Sequence, residues 1–261
     1  MSRLERWLDE WRGLLRSLRV YRCDKGHARA LDAMHRKFVA SGDLAFDIGA
    51  HVGDRTASFR RLGAKVVAAE PQASCARVLR WLHGRDSGVK IVQTAVSDRE
   101  GKLSFQVNSK NPTVSTLSRE FMDAARAGAK GWEGQVWDRQ TEVDATTLDL
   151  MIARYGEPAF IKIDVEGAEV SVLRGLSRPV PALSFEFTTI QRDVAAACLA
   201  RCVELGYSRF NLSLGESQRM YFDDAVDAET MGATIADLPH EANSGDIYAF
   251  TDQWKPKPHA Q

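Results

Sequence analysis

Apolar and polar positions along this chain follow two periods, and their order predicts the architecture. Leu4, Trp7, Leu8, Trp11, Leu14, Leu15 and Leu18 recur at three- and four-residue spacing between Arg3 and Arg22, with arginines and acids between them. That pattern predicts an amphipathic helix. A second helix is expected over residues 28–40, ending at Ser41-Gly42. Short apolar runs then alternate with helical spacing: strands over residues 44–48, 65–69, 89–96, 159–163, 183–187, 210–214 and 246–250. Between them the spacing predicts helices over residues 55–62, from Cys75 to near Gly84, and from a cap at Thr146-Thr147 to Gly156-Glu157-Pro158. Further helices are expected over residues 170–176 and 195–205. Strands alternating with helices imply a parallel, doubly wound α/β sheet with ligands beyond the carboxyl ends of its strands. Residues 102–107 alternate and read as an added antiparallel strand. From Asn108 to Val143 periodicity is poor. That stretch reads either as a lid or substrate wall or as a surface excursion pinned by Phe121, Met122, Trp132 and Trp137. A polar insertion is expected around residues 223–244, and a frayed tail follows from Lys255.

Composition narrows the class. A chain of 261 residues with 44% hydrophobic content buries a full core, and one elaborated domain is expected rather than two small ones. Lysines plus arginines match aspartates plus glutamates at 35 each, so no global field favours a polyanion, which speaks against nucleic acid as partner. No apolar run approaches the roughly 18 residues of a membrane span, and the N-terminus lacks the apolar core of a signal peptide. Cys23, Cys75, Cys198 and Cys202 have no metal-finger spacing, and Cys198 and Cys202 share a helical face as core residues do. A cytoplasmic protein is expected. The stripe of the first helix packs on its own chain, forms a homodimer contact, or lies shallowly on a membrane.

The chemistry concentrates where strands end. Asp47 closes the first strand two residues before Gly49, and Gly53 follows before a helix. Glycines here allow positive φ or close approach of a ligand to the main chain. A pyrophosphate is repelled by Asp47, whereas the ammonium of an amino acid is attracted. Glu70-Pro71 closes the second strand about twenty residues on, where an acid accepts the hydroxyls of a ribose. Amino acid at one end and ribose at the other describe S-adenosylmethionine better than a nicotinamide dinucleotide. Ser97-Asp98 closes the third strand at the expected adenine edge. Asp47, Glu70, Asp164 and Glu186 are all expected at one edge of the sheet.

With these motifs in view, the chain resembles the FkbM-type S-adenosylmethionine-dependent methyltransferases. The resemblance is carried by Phe46-Asp47-Ile48-Gly49-Ala50-His51-Val52-Gly53, Glu70-Pro71, Ala95-Val96-Ser97-Asp98, Thr147-Leu148-Asp149, and Ile161-Lys162-Ile163-Asp164-Val165-Glu166-Gly167-Ala168-Glu169. It covers roughly residues 41–252, with 1–40 as an N-terminal helical extension and 253–261 as a tail. It implies a Rossmann-like class I methyltransferase fold, a mostly parallel seven-stranded sheet with the cofactor on its first three strands. Asp47, Gly49, Ala50, His51, Gly53, Glu70, Pro71, Ser97 and Asp164 fall at the cofactor positions. The resemblance also implies methyl transfer to a hydroxyl oxygen, with polyketides and sugars among the family's substrates. Many relatives have asparagine where this chain has His51.

A hydroxyl acceptor must lose its proton, which asks for a nearby base. Asp164 is best placed, Glu186 is second, and Glu166 assists either one. His51 ranks behind them as a turn residue, Glu169 reads as structural at a helix start, and Lys162 as the partner of an acid. Asp164 and Glu186 also suit a divalent ion such as magnesium, although no metal ligand is assigned. The competing readings are a nicotinamide-dependent oxidoreductase and a non-catalytic cofactor-binding module.

Overall fold

The computed structural model describes residues 3–22, 24–127 and 131–257. Cys23, residues 128–130 of the aperiodic stretch, residues 258–261 of the tail, and the side chains of Leu4 and Trp7 lie outside what is described. In chain order the elements are α1 (Arg3–Arg22), α2 (Lys25–His35), β1 (Leu44–Ile48), α3 (Asp54–Arg61), β2 (Lys65–Ala69), α4 (Ala73–His83), β3 (Val89–Val92), β4 (Ala95–Val96) and β5 (Gly101–Val107). They continue with α5 (Arg119–Arg126), β6 (Arg139–Thr146), α6 (Leu148–Tyr155), β7 (Phe160–Ile163), α7 (Glu169–Arg174), β8 (Ala182–Thr188), α8 (Arg192–Leu205), β9 (Arg209–Leu214), α9 (Ala228–Asp237) and β10 (Ser244–Phe250).

Seven strands form the main sheet in the order β3-β2-β1-β7-β8-β10-β9. All neighbours are parallel except β10, which runs antiparallel to β8 and β9. From β1 the chain winds outward to β3, then returns to β7 on the other side of β1. The order therefore reverses between β1 and β7, where a doubly wound sheet opens a crevice at its carboxyl edge. Strands buried on both faces are apolar nearly throughout. Phe46, Ile48, Ile161, Ile163 and Phe185 pack toward α6, α7 and α8, together with Cys198 and Cys202. On the opposite face Ala45, Phe160 and Tyr248 meet Phe38 and Phe59.

The second helix, expected over residues 28–40, begins at Lys25 and ends at His35, and the structure departs further from the expected elements in three places. The strand expected over residues 89–96 breaks at Gln93-Thr94, and Ala95–Val96 leave the main sheet to pair with Ala145 and Thr146. Thr94 marks the break, its hydroxyl donating to the carbonyl of Asp144 at 2.9 Å. The expected antiparallel addition is present as β5, which pairs with β6 in a second, three-stranded sheet. The aperiodic stretch holds α5, capped by Ser118 accepting from Phe121 N–H at 3.0 Å, and the first half of β6. Its aromatics form a satellite core: Phe121 meets Trp132 edge-on at 5.2 Å and Trp137 at 6.1 Å. The polar insertion similarly contains α9, held by the Asp227 cap and by Met231 and Ile235 in the main core.

The first helix packs on its own chain. Leu14 is buried with Val52, Cys75 and Val78, and Leu18 lies against them. Glu10 accepts from the Ser74 hydroxyl at 2.7 Å and pairs with Arg139 at 3.1 Å, so α1 ties α4 to β6. Among the described residues no helix is long and apolar enough to cross a membrane.

Candidate active site

The turn after β1 is shaped by a neighbouring chain segment. Gly49 has φ +82°, and a Cβ there would fall 1.7 Å from the carbonyl oxygen of Asp164. Only glycine fits, because Asp164 N–H donates to Ile48 O at 2.9 Å and draws the two strand ends together. The N–H groups of Gly49 and Ala50 both donate to Ala69 O, fastening the turn to the end of β2. Gly53 also has φ +82°, but a Cβ there would meet Leu79 of α4 at 2.7 Å. It serves helix packing and does not line the cleft.

Two buried carboxylates flank this turn. Asp47 accepts the Thr56 hydroxyl at 2.5 Å, yet burial raises its pKa to about 6. Glu70 accepts the N–H groups of His51 and Gln72 at 2.8 and 2.7 Å, one on each oxygen. Burial again dominates and raises Glu70 to about 7 despite both bonds. His51 sits at φ 47° with its pKa lowered to about 4 by burial, so its imidazole is neutral near pH 7.

A second acidic group stands at the ends of β7 and β8. Lys162, almost wholly buried, reaches Asp246 at 2.6 Å and Asp164 at 3.1 Å. Burial alone would raise the Asp164 pKa, but the Lys162 ammonium and then the Arg55 guanidinium outweigh it and hold Asp164 below the usual carboxylate range. Burial, reinforced by the charge of Asp164, pushes Glu166 and Glu186 well above theirs. Glu169 accepts from Val165 N–H at 3.1 Å and Gly167 N–H at 3.2 Å and so braces the loop between β7 and α7, the structural part expected of it.

Both groups open into one cleft, which is open to solvent. Asp47, Gly49, Ala50, His51, Glu70 and Pro71 line one part of it, and Asp164, Glu166 and Glu186 another. Ser97 lies outside, because the break before β4 turns Thr94, Ala95 and Val96 to the cleft and packs the Ser97 carbonyl near Gly175. Sequence reasoning missed Thr56, Arg55 and Glu216. Arg55 follows the turn directly and pairs with Asp54 at 2.8 Å and Glu216 at 3.2 Å. Its place in the first turn of α3 was a usable signal, whereas Glu216, in the loop after β9, carried none. Phe105 and Leu117, from β5 and the segment before α5, supply an apolar wall.

The sequence profile of the methyltransferase FkbM domain matches residues 47–211, more than half of the chain. The chain belongs to the FkbM methyltransferase family. As a member it is an S-adenosylmethionine-dependent methyltransferase, and the nicotinamide-dependent and non-catalytic readings give way. The strand order of this FkbM methyltransferase is that of the Rossmann-like class I fold. None of the curated proteins matches it in sequence. Similar solved structures include the O-methyltransferase from Bacillus cereus in complex with S-adenosylhomocysteine, 12% identical, with TM-score 0.42 over 97% of this chain and 92% of that one. The TehB-like S-adenosylmethionine-dependent methyltransferase from Corynebacterium glutamicum is 11% identical, with TM-score 0.45 over 95% and 97%. The precorrin-6y C5,15-methyltransferase from Geobacter metallireducens is 11% identical, with TM-score 0.42 over 87% of each chain.

Proposed function

We propose that this methyltransferase acts on a hydroxyl oxygen of a small molecule or glycan. The carrying observation is one cleft with two acidic ends, Asp47 and Glu70 at the first and Asp164 with Glu166 and Glu186 at the second. The donor set suits the cofactor. Each oxygen of Glu70 accepts one backbone N–H, and a carboxylate has about four acceptor sites, so capacity remains for the ribose hydroxyls. Asp47 has an oxygen beyond the Thr56 bond to face an ammonium group. Val96, Phe105 and Leu117 offer apolar surface to the base. When bound, S-adenosylmethionine supplies a methyl carbon activated by its sulfonium, so that a hydroxyl oxygen displaces sulfur and the electron pair of the broken bond stays on sulfur.

The protein's own task is alignment and removal of one proton. Asp164 is the base in this reading, because Lys162 keeps it ionised beside two glutamates that burial drives toward protonation. Residues 41–252 form the catalytic domain, preceded by the helical extension 1–40 and followed by the tail 253–261. The test pairs calorimetry of S-adenosylhomocysteine binding with a coupled assay of its release, over sugar and phenol acceptors. Asp164→Asn should bind S-adenosylhomocysteine as the unaltered protein does and lose about 10²- to 10⁴-fold in turnover. Retained turnover would move the base elsewhere, and no release with any hydroxyl acceptor would count against oxygen as the target.

A further inference from the structure

The cleft wall is acidic, and one group of the cofactor is itself an acid. Among the described residues seven carboxyl side chains line the cleft, and Arg55 is the one cationic side chain there. With Asp47 facing the ammonium and Glu70 the ribose, the carboxylate of the methionine portion still needs a donor. Set among acids, it is repelled unless a cation meets it. The turn after β1 does not supply one: the N–H groups of Gly49 and Ala50 are engaged by Ala69 O, and that of His51 by Glu70. Lys162 lies off the cleft wall and is already shared by Asp164 and Asp246. Arg55 stands at the amino-acid end, in the first turn of α3, and its charge acts on Asp47. Burial raises the Asp47 pKa, and the Thr56 hydroxyl and then the Arg55 guanidinium oppose the rise.

The guanidinium is fixed on one side and loosely covered on the other. Nη1 of Arg55 donates to Asp54 at 2.8 Å, and the same Asp54 oxygen lies 2.8 Å from Nε2 of His27 on α2. Nη2 donates to both oxygens of Glu216 at 3.2 and 3.3 Å, longer than the roughly 2.7–2.9 Å usual between charged partners. One nitrogen thus holds both oxygens, in place of the side-by-side pairing that a guanidinium and a carboxylate prefer, so a better-placed carboxylate gains over Glu216. The side chain of Glu216 is 48% exposed and that of Arg55 only 14%, so the acid leaves more readily than the cation. The loop that presents Glu216 is strained. Gln218 donates to Glu216 at 2.9 Å while holding φ 52°, which side-chain-bearing residues seldom adopt. Strain of this kind gathers at ligand clamps and switches.

We propose that Arg55 binds the carboxylate of the cofactor's amino-acid portion, and that Glu216 occupies that place on Arg55 until the cofactor displaces it. This rests on the reading that sets the ammonium at Asp47 and the ribose at Glu70. The experiment measures, by calorimetry on the full chain, the binding of S-adenosylhomocysteine and of its decarboxylated analogue, which differ only in that carboxylate. Arg55→Gln should weaken S-adenosylhomocysteine roughly tenfold to hundredfold and should not weaken the analogue. Glu216→Gln removes the competing acid and should tighten S-adenosylhomocysteine about two- to fivefold while leaving the analogue unchanged. Equal weakening of both ligands by Arg55→Gln, or of neither, overturns the proposal. Should Arg55→Gln fail to fold, Glu216→Gln decides: tighter binding of S-adenosylhomocysteine alone supports the displacement, and unchanged or weaker binding overturns it. No binding of S-adenosylhomocysteine by the unaltered chain removes the placement of the cofactor and the proposal together. Binding that Glu70→Gln weakens and Arg55→Gln does not removes the proposal alone.

Discussion

The two carboxylates assigned to the cofactor make affinity depend on pH in a direction the structure fixes. Asp47 and Glu70 have pKa values of about 6 and 7 because burial disfavours their charges. An ammonium facing Asp47 and hydroxyls facing Glu70 interact best with the ionised forms, so binding draws protons off both. The apparent dissociation constant is then multiplied at each site by one plus the ratio of proton concentration to acid constant. For Glu70 the factor is about 11 at pH 6 and 2 at pH 7, and for Asp47 about 2 and 1.1. S-adenosylhomocysteine should therefore bind about tenfold more tightly at pH 7 than at pH 6, a difference of about 1.4 kcal/mol. Glu70→Gln should bind more weakly and keep only about a twofold dependence, from Asp47. Stability of the unliganded protein runs the other way. A carboxyl whose folded pKa is raised stabilises the fold below its unfolded pKa, and that contribution is lost as pH rises through the folded value. Each group thus costs roughly 3 kcal/mol once pH passes 7. Calorimetry in two buffers of different ionisation enthalpy reads affinity and proton release together. Equal affinity at the two pH values, with no proton released, would refute the assignment of these carboxylates to the ligand.

Two further substitutions probe the frame around the site. Lys162→Ala leaves the nearly buried Asp246, and with it the partly exposed Asp164, without their cation and should cost about 3 kcal/mol by urea unfolding. A loss under about 1 kcal/mol would mean that the ammonium does not hold the two acids together. Gly49→Ala places a methyl group against the Asp164 carbonyl at positive φ and should cost about 4 kcal/mol, while Gly42→Ala, at a similar φ with nothing within 4 Å, should cost about 1 kcal/mol. Equal losses in the two glycine variants would assign the whole effect to φ and none to the crossing of the turns.

Local pattern along the chain was enough to place each strand of the main sheet and most of its helices, because apolar spacing within one turn or one pleat decides which face is buried. It also placed Asp47, Glu70, Asp164 and Glu186 at one edge, since a parallel sheet brings the carboxyl ends of its strands together. Only tertiary structure decided the rest. β6 was invisible because Gln140, Thr141, Glu142 and Asp144 are exposed and only Val143 and Ala145 are buried, too short an alternation to register. The break at Thr94 depends on Asp144, and the charge state of Asp164 on a lysine shared with Asp246, so neither shows within a local window. Gly49 and Gly53 look alike in sequence; one yields to a crossing strand end beside the cleft and the other to a helix behind it. Residues close along the chain set which elements form. Residues far apart set which charges are buried together, and the reactivity of the cleft comes from that burial.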